Sequence, residues 1–104
     1  EKTAVICSAE PGNPVIYVSD AFETHTGYPR EELIGRNLSL LQGPDTEPEA
    51  VDQFRYLISN KKAGTVQITN YRRDGSRFLH ECEFRPVWAS QDVVSHFVAV
   101  QRLV

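Results

Sequence analysis

The chain predicts an α+β domain: a five-stranded antiparallel sheet with short helices and one longer helix packed on one face. Three observations lead there. Two short β-rich runs open the chain, a helical stretch fills its middle, and after residue 63 the pattern switches to period-two alternation over three long runs. At 104 residues there is material for one core and not two, so residues 1–104 read as a single domain.

Each element carries its own signal. "TAVICSA" is a weakly alternating, β-rich first strand, and "EPGNP" breaks it with Pro11, Gly12 and Pro14. "VIYVSD" reads as a second strand and leaves Ser19 or Asp20 to cap the helix "AFETHT", which Gly27 closes. "PREEL" is one further turn, opened by Pro29. The best helix is "TEPEAVDQFRYLISN", with Thr46 and Glu49 spaced as a capping box and Pro48 in the first turn. Val51, Phe54 and Ile58 form one stripe of it, with Arg55 as a charged neighbour that either snorkels or meets an anion. "TVQITNYRR", "SRFLHECEFRPVW" and "VVSHFVAVQRLV" are the three long strands, joined by "RDGS" and "ASQD" turns.

Composition excludes several functions. A net charge of −3 is mild and lacks the basic bias of a nucleic-acid binder. Cys7 and Cys82 show no metal-binding spacing, the histidines form no ligand pattern, and neither a zinc site nor a disulfide framework is expected. Membrane-span and signal-peptide patterns are missing, which predicts a soluble domain of a reducing compartment, the cytoplasm. No nucleophile triad, paired carboxylates or phosphate-cradling loop points to an enzyme. Glu31, Glu32, His25 and "YRRDGSR" read as solvent-facing groups. The chain begins and ends in strand-like sequence, as a piece of a longer protein would.

Alternation also assigns faces. His80, Cys82 and Phe84 share one with Phe78; Phe97, Ala99 and Gln101 share one with Val93 and Ser95; Asn70 joins Ile68 and Val66. Asn70, His80 and Gln101 are thereby polar groups set among apolar neighbours on adjacent strands. Such groups either bond each other and the backbone or, with Asn37 and Gln42, line a pocket for a planar heterocycle. The opposite face carries His96, Val98 and Val100 and is apolar enough to be covered by a flanking helix, a partner or a second subunit.

"GRNLSLLQGPDT", "TVQITNYRRDGSRF" and "FVAVQ", with "NPVIYVSDAFETHTGYPREELIGRN" before them, resemble the flavin-binding LOV branch of the PAS domains over essentially the whole chain. The resemblance implies the PAS fold and a blue-light sensor. It implies that Asn70 bonds the flavin pyrimidine edge and that Gln101 faces the reducible edge and relays its state to the sheet. Asn37 and Gln42 would line the pocket and hold the ribityl chain, while Arg55 would meet the phosphate. Val51, Phe54, Ile58, Leu41, Phe84 and Phe97 match wall positions. "GPDTEPEA" lacks the extra loop of the dinucleotide binders, so the implied cofactor is flavin mononucleotide (FMN).

The departures from the family matter most. Its motif reads GRNCRFLQ, and Leu38 stands where the cysteine attacks the photoexcited flavin. Leucine has neither nucleophile nor transferable proton, so adduct chemistry is closed at Leu38. Ser39 replaces a second phosphate arginine, which makes riboflavin a possible competitor. His80 replaces a second flavin-edge asparagine and brings a titratable group. Cys82 replaces a pocket aromatic. The expected activity is therefore signalling through flavin photoreduction to a neutral semiquinone and a hydrogen-bond switch at Gln101. Tyr17, Tyr56, Tyr71, Trp88 and Cys82 are the candidate electron donors. The alternative is a PAS dimerisation or docking module, or a redox sensor that no longer uses light. Expected partners are an effector domain or helix outside these residues and, through the outer sheet face, a second copy.

Overall fold

A computed structural model describes residues 2–104 and folds them around one sheet. The strands are β1 (Lys2–Ser8), β2 (Val15–Val18), β3 (Gly64–Tyr71), β4 (Arg77–Trp88) and β5 (Val94–Leu103). Between β2 and β3 come α1 (Asp20–Thr26), α2 (Arg30–Leu33), a 3-10 turn at Leu38–Leu41, and α3 (Pro48–Asn60). The strand order is β2-β1-β5-β4-β3, every neighbouring pair antiparallel. The chain's last strand therefore occupies the centre of the sheet, beside its first.

Gly27 ends α1 in the left-handed conformation at φ 75, its N–H bonded to the Glu23 carbonyl. Gly43 is required for a different reason: a β-carbon there would lie 2.4 Å from the ring of Tyr71. The Tyr71 hydroxyl in turn accepts the Asp45 N–H at 2.8 Å, tying the turn before α3 to the sheet edge.

The helix starts differ from the expected caps. Ser19 is the N-cap of α1, but its hydroxyl accepts the Ala4 N–H at 3.0 Å instead of bonding into the helix. The capping box of Thr46 and Glu49 does not form. Glu47 is the N-cap of α3, and its carboxylate accepts the N–H and hydroxyl of Thr69 at 2.8 and 2.6 Å. The Thr46 hydroxyl donates to the Thr69 carbonyl at 2.7 Å. Strand β3 lies at the sheet edge, where its unpaired backbone groups compete for these side chains and win.

The helices cover one face, as expected. On α3 the fully buried residues are Ala50 and Leu57, so the Val51–Phe54–Ile58 stripe sits half-buried beside the contact line. Val93 falls in the turn before β5, exposed, and does not extend the Phe97 face. His25 is half-buried and not a surface residue; its carbonyl accepts the Nε–H of Arg72 at 2.9 Å. Arg72 also stacks on Phe78, with its guanidinium carbon 4.6 Å from the ring centre.

The core is divided. One cluster joins Ala50, Leu57, Val66, Ile68, Cys82, Phe84, Phe97 and Ala99. The other joins Val5, Val15, Val18, Phe22, Leu33 and Leu41. No helix among the described residues is long and apolar enough to cross a membrane.

Candidate functional site

A cavity of about 580 Å³ lies where the two clusters stay apart, walled by Phe22 and Leu41 on one side and by Ile68, Phe84, Phe97 and Ala99 on the other. Its size suits a cofactor or small molecule, sites that run from about 300 to 1,000 Å³. The structure brings the sequence-derived candidates together around it: Asn37, Leu38, Leu41, Gln42, Val51, Phe54, Arg55, Ile58, Asn70, His80, Cys82, Phe84, Phe97 and Gln101.

The deep wall is the inner face of the sheet. Asn70, His80 and Gln101 project from β3, β4 and β5 and are 7%, 1% and 2% exposed. The Asn70 amide makes only long contacts, at 3.5 Å to the Leu41 carbonyl and 3.4 Å to its neighbour's. The His80 ring meets Phe78 edge-on at 4.6 Å and lies 6.3 Å from Phe22, and its buried Nε2 has no partner among the described residues. A buried polar atom left unpaired costs on the order of 1–3 kcal/mol, and His80 Nε2 is such an atom, whereas Gln101 Oε1 accepts from the Thr3 hydroxyl at 2.6 Å.

Burial also sets the charge states. Desolvation, with smaller contributions from His25 and Arg72, lowers the His80 pKa to about 4, so its imidazole is neutral at pH 7. Desolvation pushes the Cys82 thiol up to about 12 and that of Cys7 to about 11. Both are protonated and poor nucleophiles.

Phe84 and Phe97 stack at 5.1 Å, and Phe54 meets Phe84 edge-on at 5.7 Å, giving an aromatic wall. Leu38, the first residue of the 3-10 turn, is half-buried against the second cluster and lines the cavity.

The mouth is built from helical segments, and its polar residues Asn37, Gln42 and Arg55 are exposed. The Asn37 amide is occupied by the fold itself: Oδ1 caps the 3-10 turn at the Ser39 N–H, and Nδ2 donates to the Gly12 carbonyl, both at 2.8 Å. Gln42 is exposed at the end of that turn. The Arg55 side chain is 76% exposed and pairs with Asp52 at 3.6 Å.

Ser39, at the position of the lost phosphate arginine, also lines the cavity, and Cys7, Asn13, Phe22, Ser59, Ile68 and Ala99 complete the lining without having been singled out as site residues. Ile68 and Ala99 were legible, since each lies two residues from a polar site residue on the same face. Cys7 was legible too, since alternation sets it on the face of Val5 and β1 pairs it with Phe97; Asn13 was not, because it lies in the loop between β1 and β2, where no periodicity applies. No cluster of three or more potential metal ligands occurs among the described residues.

The comparisons agree on one family. The PAS domain description matches residues 2–102. A blue-light photoreceptor of Listeria innocua is 39% identical over 93 residues, 89% of this chain and 36% of that protein. Phototropin-2 of Oryza sativa is 39% identical over 102 residues, 97% of this chain and 11% of that protein. This chain thus spans about a third or less of those curated relatives. Among solved structures, the light-state LOV domain of the photoreceptor Aureochrome1 superposes with TM-score 0.94 at 38% identity, over 98% of this chain and 80% of that one. The LOV domain of a blue-light-activated histidine kinase from Erythrobacter litoralis gives 0.93 at 34%, over 98% and 94%.

Proposed function

The chain belongs to the PAS domain family, on its LOV branch, and from that premise we propose that it is a flavin-binding blue-light sensor working without an adduct cysteine. One observation carries the proposal: three buried polar side chains, one with an orphaned nitrogen, close the deep end of a cavity whose side walls are aromatic and aliphatic. A planar ring with donors and acceptors along one edge satisfies that end and fills the gap between the clusters.

FMN is the favoured form, with Arg55 at the mouth for its phosphate and Ser39 leaving riboflavin competitive. Bound flavin supplies light absorption and a one-electron acceptor. Leu38 contributes bulk that shields the ring from water and neither attacks it nor gives it a proton. Asn70 and neutral His80 hold the pyrimidine edge. Gln101, on the central strand, meets the reducible edge and passes its amide orientation into the sheet. We assign no catalysis to the domain itself.

The signal leaves through the outer face, where Ile6, Val98 and Val100 form a half-buried apolar strip bordered by exposed Tyr17 on β2 and by exposed Arg85 and Glu83 on β4. An effector domain or helix beyond these residues, or a second copy, is the partner proposed for it. Free Cys7 and Cys82 fit a cytoplasmic setting.

Purified protein should be yellow, or become so with added FMN or riboflavin, and light should change its spectrum reversibly. Folded protein that stays colourless with both would overturn the assignment. Loss of the nucleophile also suits a redox sensor. Flavin that is bound, inert to light and reversibly reduced by dithionite selects that reading.

A further inference from the structure

Neither nitrogen of the His80 imidazole is held by the chain. Nε2 is buried without a partner, and Nδ1 meets no donor or acceptor among the described residues. A histidine ring is ordinarily oriented by the hydrogen bond that its second nitrogen makes. Here packing alone sets the ring, and the contacts form a closed circuit. Phe22 on α1 lies 6.3 Å from the imidazole, and Phe78, two residues before it on β4, meets it edge-on at 4.6 Å. Arg72, in the turn between β3 and β4, lies over Phe78 at 4.6 Å from the ring centre, and its Nε–H donates to the His25 carbonyl at 2.9 Å. His25 follows Phe22 on the same helix, so the circuit closes on α1, where it began. The rest of the guanidinium reaches the Ser76 hydroxyl at 3.4 Å and the Arg77 carbonyl at 3.5 Å. Arg72 forms no ion pair among the described residues, which leaves its charge to act on the face of Phe78.

We propose that Arg72 is a positioning residue of the site: tied to α1 and stacked on Phe78, it clamps the His80 imidazole in one orientation at the deep end of the cavity. The role rests on the flavin reading, in which His80 meets the pyrimidine edge. A neutral imidazole has one nitrogen that donates and one that accepts, so what it presents to a ligand depends on how the ring is turned. The clamp fixes that turn without using up a nitrogen. Charge acts in the same direction, because His25 from α1 and Arg72 from the turn both oppose protonation of His80. Ile68 and Leu103, opposite His80 on β3 and β5, carry no charge, and Cys82 on β4 keeps its proton. Arginine suits the place better than lysine, which offers a point charge with neither a flat face to stack nor a fixed fork to reach the carbonyl.

Riboflavin, which has no phosphate for an arginine to meet, is the probe. Arg72→Gln, and Arg72→Lys as the milder change, should each weaken its binding about three- to five-fold. Phe78→Leu should do the same, and adding Arg72→Gln to it should cost less than about two-fold more, because both act through one contact. In a His80→Asn background, Arg72→Gln should change the affinity by less than about two-fold. Ligand-free protein is read by cross-relaxation between the Phe78 and His80 ring protons in 13C-labelled material. That signal should lose about half its intensity in either Arg72 variant, as a second His80 rotamer fills. An Arg72→Gln effect of full size in the His80→Asn background overturns the proposal, since a purely structural role survives loss of the imidazole. So does ring cross-relaxation that stays at the parent level in both Arg72 variants. Protein that takes up no riboflavin sinks the flavin assignment instead, and the ligand-free cross-relaxation still decides whether the clamp exists.

Discussion

The two ends of the cavity are built on opposite principles. At the deep end, Asn70, His80 and Gln101 stand on three neighbouring strands, each no more than 7% exposed. At the mouth, Arg55 is 76% exposed and shares its charge with Asp52. Groups on paired strands are held before a ligand arrives and act where water does not screen them. Groups on the helical rim stay solvated, move with their side chains and exert weak pulls. In the proposed flavin reading, the identity of the ligand is thus decided deep in the fold, and the mouth adjusts affinity.

Truncation tests the contrast most severely. Phe84→Ala removes one ring of the stacked wall and should destabilise the protein by about 3–5 kcal/mol in urea unfolding. Ser39→Ala at the exposed rim should change it by no more than about 0.5 kcal/mol. Similar losses at both ends would break the comparison.

Acid is the next largest probe. His80 has its pKa lowered from 6.5 to about 4 in the folded state, so the unfolded chain binds more protons between those values. The stability that a neutral His80 protects is complete above pH 6.5 and falls as pH drops towards 4, by about 3 kcal/mol in all. Urea midpoints at pH 7.5 and 4.5 measure it, and His80→Asn should flatten the dependence relative to the parent.

Ligand binding sharpens the picture at smaller scale. Asn70→Ala should weaken FMN and riboflavin alike, by about 1–3 kcal/mol, because both present the same ring edge to a desolvated wall. Arg55→Gln should weaken FMN alone, by no more than about 1 kcal/mol, with the effect shrinking in salt. Fluorescence titrations of both flavins separate the two. An Arg55 effect larger than that of Asn70 would reverse the assignment of roles.

Period-two alternation placed Asn70, His80, Cys82, Phe84, Phe97 and Gln101 on one face correctly, because a strand leaves its side chains only two directions. Side-chain hydrogen bonds were less legible. Thr46 with Glu49 had the spacing of a capping box, yet Thr46 and Glu47 serve the backbone of Thr69, a strand edge more than 20 residues away. Asn37 stands in the site, but its amide is held by Ser39 and Gly12, and only the folded chain shows that Gly12 is near.

Local chemistry therefore determined the elements, the face each strand turns inward, and the absence of a nucleophile at Leu38. Those follow from residue type and short-range geometry, which the chain carries with it. Tertiary structure alone decided that the two hydrophobic clusters do not meet, that a cavity lies between them, and that Thr3 and Cys82 flank Gln101. Those facts depend on the order β2-β1-β5-β4-β3, which brings residues 98 positions apart into one hydrogen bond, a distance over which no sequence pattern repeats.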